Sequence, residues 1–337
     1  MKTGNRAPLS LHVEVERFPL KEPLRITGHT MLASDVLTVT LQQHNAAGRG
    51  EAAGVYYLEH GDVSHSARQI EAVRSRIETG IDRQALQHLL PAGRARNALD
   101  CALWDLEAKL TGQPVWQIAG LHLPGPLLTT FTISASTPED MAARAHAYTQ
   151  AKAIKLKLTG EREDCDRIRA VRAARPDVWL GVDGNQGFTR ASLQALLPVL
   201  LEARVVLIEQ PLPVGCDADL DGFDCPIYLA ADESAQSICD LPRLLDRFQV
   251  ININLDKCGG LTEGLAMARM ATELGFEIIV GNMLGTSLAM APSCLLGQLS
   301  YVVDLDGPIF LGADRPLPVR YDGGFIACPK DLWGAPS

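Results

Sequence analysis

Asp183, Glu209, Asp232 and Lys257 follow one another at 26, 23 and 25 residues, and each stands at the end of a short apolar run. Lys155 and Lys157 close the run before them, and Asp304 and Asp306 close the last one. Three carboxylates brought together repel and raise one another's pKa values unless a cation lies between them. A donor set made only of oxygen suits Mg²⁺, with Mn²⁺ as a substitute, rather than zinc. Lysines flanking a metal-bound carboxylate can take an α-proton from one side and return it on the other, while the metal stabilises the charge formed in between. Neighbouring cations are expected to lower a lysine pKa enough for one amine to act as base. Two plainer alternatives stand beside this: each acid pairs with a nearby Lys or Arg, and the lysines are salt-bridge partners.

Such residues need a frame that brings them together. Apolar runs at 154–158, 178–182, 205–208, 227–230, 250–255, 278–280 and 301–305 alternate with helical patterns such as 164–174, 192–201 and 263–274. Strands alternating with helices make a parallel sheet, and seven or eight such units close into a barrel whose C-terminal strand ends share one face. Residues two apart on a strand point the same way, so Lys155 and Lys157 both face the interior. About 185 residues are short for eight complete units and leave room for a missing final helix. Before the barrel, strand character at 9–17 and 36–41 gives way to a helical pattern over 67–110 that Gly112 and Pro114 end. Residues 23–34, rich in Pro, Gly, Thr and His, read as a mobile loop. Residues 50–62 read as a second loop, with Tyr56 and Tyr57 at its centre.

Composition excludes several classes. The chain has 337 residues, 47% hydrophobic and 21% charged, with a net charge of -9, which disfavours nucleic acid as a partner. No stretch has the ~20 apolar residues of a membrane span, and the N-terminus lacks the apolar core of a signal peptide, so a cytoplasmic protein is expected. The eight cysteines form no C-x-x-C pair and read as reduced, buried thiols. The oligomeric state stays open, a homo-oligomer included.

The strings Lys155-Leu156-Lys157, Val182-Asp183-Gly184-Asn185-Gln186-Gly187, Ile208-Glu209-Gln210-Pro211, Ala231-Asp232-Glu233-Ser234 and Asp256-Lys257-Cys258-Gly259-Gly260 resemble the enolase superfamily, muconate-lactonising-enzyme-like subgroup, in order and spacing. The resemblance implies a (β/α)7β modified TIM barrel over 121–310 and an α+β capping domain over 1–120, which the segment 311–337 completes. It further implies Asp183, Glu209 and Asp232 as ligands of one Mg²⁺, and Lys157 and Lys257 as the acid/base pair. Lys155 would orient the substrate carboxylate and tune Lys157.

Asp304-Leu305-Asp306 narrows the resemblance to dipeptide epimerases, of the L-Ala-D/L-Glu type, where such a pair holds the substrate's free α-ammonium group. Both side chains facing the interior suit an ammonium with three donors, although a strand end bonded to loop amides would look the same. The 91–106 stretch resembles the same enzymes but reads as a scaffold helix. By the resemblance, a cap-loop Arg pairs with a glutamate side chain. Arg25 lies near the start of that loop, His29 stands closer to the position itself, and Tyr57 would help close the site. The expected activity is therefore epimerisation of a small dipeptide. Rivals on the same scaffold are o-succinylbenzoate synthesis, N-acylamino acid racemisation and cycloisomerisation. A rival of another class is a catalytically silent barrel that only binds.

Overall fold

The computed structural model describes residues 8–26, 29–54 and 61–336, with the backbone alone at 25, 26 and 29. Strands β1 (Ser10–Ile26), β2 (His29–Gln43) and β3 (Ala46–Ala53) form an antiparallel sheet in chain order. Helices α1 (Val63–Glu78), α2 (Arg83–Leu89) and α3 (Arg94–Thr111) belong with it. Asp62 caps α1 by accepting from His65 N at 2.7 Å, and Gly112 ends α3 at a φ of 70°. Leu37, Val39 and Leu41 of the sheet bury against Ile70, Ile77, Leu86 and Leu99 of the helices. Full burial of each contributes about 1.5–3 kcal/mol.

Of the expected loop over 23–34, residues 23–26 and 29–34 are instead paired strand. After a register shift between Pro19 and Leu24, the pairs Leu24↔Met31, Arg25↔Thr30 and Ile26↔His29 continue the ladder. The C-terminal segment pins this ribbon, because Leu20 bridges Leu311 and Gly312 N donates to Pro19 O at 2.7 Å. Of the expected second loop, residues 50–53 belong to β3; Tyr56 and Tyr57 lie outside the described residues.

A short α4 (Val115–Ile118) and β4 (Leu127–Leu128) lead into eight parallel strands arranged in chain order. They are β5 (Thr130–Ile133), β6 (Ala153–Lys157), β7 (Trp179–Asp183), β8 (Leu207–Glu209), β9 (Tyr228–Ala231), β10 (Val250–Asn254), β11 (Glu277–Gly281) and β12 (Val303–Asp304). A parallel bridge, Thr129↔Val303, joins the last strand to the first and closes the ring. Outside it run α5 (Pro138–Ala147), α6 (Asp164–Ala174), α7 (Arg190–Glu202), α8 (Leu255–Cys258), α9 (Leu261–Glu273) and α10 (Ser287–Leu296). Single 3₁₀ stretches, Asp217–Leu220 and Ile238–Leu244, replace helices after β8 and β9. The final position holds only the four-residue α11 (Gly307–Phe310). Strand β13 (Arg320–Asp322) then pairs with β14 (Phe325–Ala327), which pairs with β4. Among the described residues, no helix is long and apolar enough to cross a membrane.

The period-two alternation of the strands explains what the barrel encloses. At the base, Ala153, Leu207, Ala230, Val250, Ile279 and Val302 form one apolar plug. One step further along the same inward rows, the residues turn polar: Lys155 and Lys157 after Ala153, Glu209 after Leu207, Asp232 after Ala230, Asn252 and Asn254 after Val250, and Asp304 after Val302. Strands β6, β8, β9, β10 and β12 therefore bury apolar side chains at one end and present chemistry at the other. Ionic contacts couple this barrel to the cap. Arg315, past the barrel, lies 2.7 Å from Glu16 of β1 and 2.6 Å from the buried Glu51 of β3. Glu51 also accepts from Thr286 N at 2.7 Å, at the start of α10.

Candidate active site

The parallel register sets the functional residues at one height: Lys157 is opposite Asp183, Asp183 opposite Glu209, and Gly281 opposite Asp304. Lys155 Nζ sits 3.2 Å from Glu209 Oε2 and 3.7 Å from Asp183 Oδ2, and also contacts Asp304. Lys157 Nζ lies 2.5 Å from Asp183 Oδ2. Lys257, on α8 just past β10, donates to Asp232 O at 2.7 Å and contacts the Asp232 carboxylate. Round the rim the order is amines on β6, acids on β7, β8 and just after β9, then an amine after β10. In a ring of eight, β6 and β10 are four strands apart, so the amines of Lys157 and Lys257 enter from opposite sides of the acids.

Asp306 follows β12 and accepts from Thr132 N at 2.6 Å, while Asp304 accepts from Thr130 Oγ1 at 2.5 Å. The two carboxylates thus face the β5 and β6 side of the ring. Gln210 and Ser234 hold the acid-bearing ends of β8 and β9. Gln210 Oε1 accepts from Asp232 N at 3.0 Å and from Ser234 N at 3.1 Å, and Ser234 Oγ donates to Asp217 at 2.8 Å. A fully bonded buried network of this kind rigidifies what it touches.

Electrostatics follow from the crowding. Burial pushes Glu209 up to about 7, with Asp183 and Asp232 adding to the rise against Lys155. Burial also pushes Asp306 up to about 7, helped by Asp304. Asp304 is held below the usual carboxylate range, since Lys155 and Lys157 outweigh its burial. The expected lowering of the lysines is not what the structure shows. Burial and Lys155 pull Lys157 down, yet Asp183 raises it above its ordinary value, and Lys155 is raised well above its own against the effect of burial. Asp183, Glu209 and Asp304 surround Lys155, while Lys157 rests on Asp183 and Lys257 on Asp232.

Whether the acids suit a cation turns on their chemistry. As arranged, no three His, Cys, Asp or Glu side chains among the described residues are grouped to hold an ion, and lysines contact Asp183, Glu209 and Asp232. The donor set nonetheless fits a hard cation: three carboxylates on consecutive strand ends, the central one driven towards neutrality by burial first and by its acidic neighbours after that. Two buried acceptors facing the same cavity, Asn252 Oδ1 and Glu233 Oε2, have no hydrogen-bond partner. Buried acceptors left in that state are what a cation or a donor-bearing ligand satisfies.

Lys155, Lys157, Glu209, Asp232, Glu233, Asn252, Asp304 and Asp306 line a cavity of about 390 Å³, roofed in part by Leu24 and Met31 of the hairpin and walled by Met283, Leu284 and Phe310. Asp183 and Lys257 touch this lining through Lys157 and Asp232 and do not themselves form part of it. Asn252 is a site residue that the charged motifs do not reveal. It donates to Glu209 Oε1 at 2.9 Å, and the alternation of Val250-Ile251-Asn252-Ile253-Asn254 was the signal that placed it inward. Arg25 and His29 occupy the far end of the hairpin, with only their backbones described, and Tyr57 lies outside the described residues.

Two family models match the chain. "Mandelate racemase / muconate lactonizing enzyme, N-terminal domain" covers residues 10–120, and "Enolase C-terminal domain-like" covers 140–332. The chain is similar to the L-Ala-D/L-Glu epimerase of Escherichia coli K12, 39% identical over 92% of this chain and 96% of that one. It is also similar to an N-acetyl-D-glutamate racemase of a Pseudoalteromonas species, 40% identical over 85% and 91% of the two chains. Among solved structures, it is similar to an enolase family member from Agrobacterium tumefaciens with homology to dipeptide epimerases, holding sodium and L-Ala-L-Glu. That match has a TM-score of 0.92 and 41% identity, covering 97% of this chain and 100% of the other.

Proposed function

This chain belongs to the mandelate racemase/muconate lactonizing enzyme family of the enolase superfamily, and we propose that it is a dipeptide epimerase acting at the α-carbon of the C-terminal residue. The observation that carries the reading is the order of the rim: amine, three acids, amine, with a second pair of acids alongside. Asp183, Glu209 and Asp232 would hold a divalent cation, Mg²⁺ by the hardness of the donors with Mn²⁺ as a substitute. When bound, it supplies Lewis-acid stabilisation of negative charge on the substrate carboxylate. Lys157 and Lys257 then serve as base and conjugate acid on opposite faces of the α-carbon. An amine freed from Asp183 loses the contribution that raises it, while burial and Lys155 still lower it, so Lys157 moves towards a working base. Lys155 orients the carboxylate. Asp304 and Asp306 accept hydrogen bonds from the dipeptide's α-ammonium group. The hairpin bearing Leu24 and Met31 excludes water from the carbanion-like centre.

L-Ala-D-Glu, a peptidoglycan fragment that a cytoplasmic enzyme would meet, is the first substrate to try. The described cavity wall beyond the lysines is apolar or neutral on the side of Met283, Leu284 and Phe310. By the family resemblance, Arg25 or His29 would read a glutamate side chain and Tyr57 would help close the site; the side chains of all three lie outside what the structure describes. N-acylamino acid racemisation is a second reading. The Pseudoalteromonas relative's name favours it, as does the contact that Lys155 makes with Asp304. A library of dipeptides and N-acetylamino acids, incubated in D₂O with Mg²⁺ and read by mass spectrometry, separates them. Dipeptides gaining one deuterium support epimerisation. Exchange confined to N-acetyl compounds supports the second reading, and none at all supports the silent barrel.

A further inference from the structure

Helix α3 is packed on both sides. Leu99, Leu103 and Leu106 belong to the core of the cap. Arg96, Asn97 and Asp100 are buried as well, and their three- and four-residue spacings make them neighbours on the helix surface. Burying three such groups is costly unless each is hydrogen-bonded. Each of the three bonds to one segment, 256–262, which carries Lys257, while Gln87 also bonds to Arg96 and Asp100 and Cys101 donates to Asn97 Oδ1. Arg96 donates from Nη2 to Cys258 O at 2.5 Å and from Nε to Gly259 O at 3.2 Å. Asn97 Nδ2 donates to Asp256 Oδ1 at 2.8 Å, and Ala53 N of β3 reaches the same oxygen at 3.3 Å. Asp100 Oδ2 accepts from Thr262 N at 2.9 Å.

The segment is shaped to be gripped this way. Gly259 and Gly260 have φ values of 88° and 116°, a region that favours glycine. A Cβ at Gly259 would stand 2.4 Å from Arg96 Nε, and one at Gly260 would stand 2.5 Å from Asp100 Cβ. Both sides of the contact are therefore fitted to each other. None of the three gripping residues lines the cavity.

We propose that Arg96, Asn97 and Asp100 are positioning residues for Lys257, so that the cap places one of the two bases from outside the site. This rests on the two-base reading given above. Loosening the grip displaces Lys257 and leaves Lys157 where the barrel holds it. Isotope exchange at the α-carbon tells the two faces apart. A C–H bond breaks, its proton passes to the amine on that face, the resulting ammonium trades protons with solvent, and a C–D bond forms. Exchange with retention needs only the amine on the substrate's own face, whereas inversion needs both.

The test incubates Asn97→Ala with each epimer of an accepted dipeptide in D₂O. Arg96→Lys, which keeps a charge but cannot span two carbonyls, decides if Asn97→Ala does not fold. Exchange from one epimer is expected to fall about tenfold or more, as small displacements of a reacting group do. Exchange from the other should stay within about twofold of the parent, while inversion falls in both directions. Amide hydrogen exchange across 255–262 should quicken in the same variant. Equal loss from both epimers, or no loss from either, overturns the inference. A parent protein that exchanges neither epimer sinks the two-base reading instead, which is a separate outcome.

Discussion

Lys157 and Lys257 share one chemistry in this reading, yet the molecule holds them by different means. Lys157 ends β6, a strand held by ladders to β5 up to Leu156 and to β7 at Lys157 itself, and it leans on Asp183 of the adjoining strand. Lys257 sits on the four-residue α8, beyond the end of β10, and helix α3 of another layer clamps the backbone around it. A short helix contributes little stability of its own. The barrel thus supplies one base directly and borrows the position of the other from the cap. Substitutions in the barrel wall and in the cap should therefore damage different faces of the same substrate carbon.

Removing the amines breaks the comparison hardest. Lys157→Ala and Lys257→Ala should each lower epimerisation about 10²–10⁴-fold, the usual contribution of a general acid or base. Each should retain α-proton exchange from one epimer, and the retained epimer should differ between the two variants. Following deuterium incorporation from both epimers checks this. Full epimerisation by Lys157→Ala would rule out the mechanism.

A smaller effect separates chemistry from recognition. Asp304→Asn removes a carboxylate proposed to hold the α-ammonium group, and a hydrogen bond to a charged group is worth about 1.5–3 kcal/mol. KM for dipeptides should rise about tenfold to a hundredfold, whereas turnover of N-acetylated analogues, which carry no ammonium, should not fall. Steady-state kinetics on the two substrate types decides it. Equal turnover of dipeptides by parent and variant would favour the racemase reading.

The difference between the bases also explains what the sequence could and could not disclose. The barrel was legible because its strand ends carry charge at intervals of one βα unit, and parallel register turns equal spacing into equal height. Strand β5 escaped, since Thr130-Phe131-Thr132-Ile133 is too short and polar to stand out as an apolar run. Residues 23–26 and 29–34 look like a loop in sequence because Pro and Gly outweigh a pairing that a distant segment, Leu311 and Gly312, helps to pin. The grip on Lys257 was hidden for another reason. Arg96, Asn97 and Asp100 lie about 160 residues from their partners, and a polar face on a helix ordinarily reads as solvent-facing. Pairing of amines with acids was legible only as an alternative, because charge alone does not say whether a cation or a lysine answers a carboxylate.

The smallest expected effect on catalysis comes from a change that tests the grip through stability without disturbing it. Burial pushes Asp256 up to about 7, and its hydrogen bonds from Asn97 and Ala53 both end on Oδ1. Asp256→Asn keeps that acceptor and removes the buried charge. With a folded pKa above the unfolded value of about 3.9, the native state holds its proton longer than the unfolded chain does. The parent should therefore lose stability as pH rises from about 4 to about 7, and the variant should lack this component. The gap amounts to a few kcal/mol at most, in favour of the variant at pH 8, and closes by pH 4. Thermal unfolding of both proteins across that range measures it. A variant less stable than its parent at pH 8 would mean that the charge itself, rather than the acceptor, holds α3 to the segment bearing Lys257.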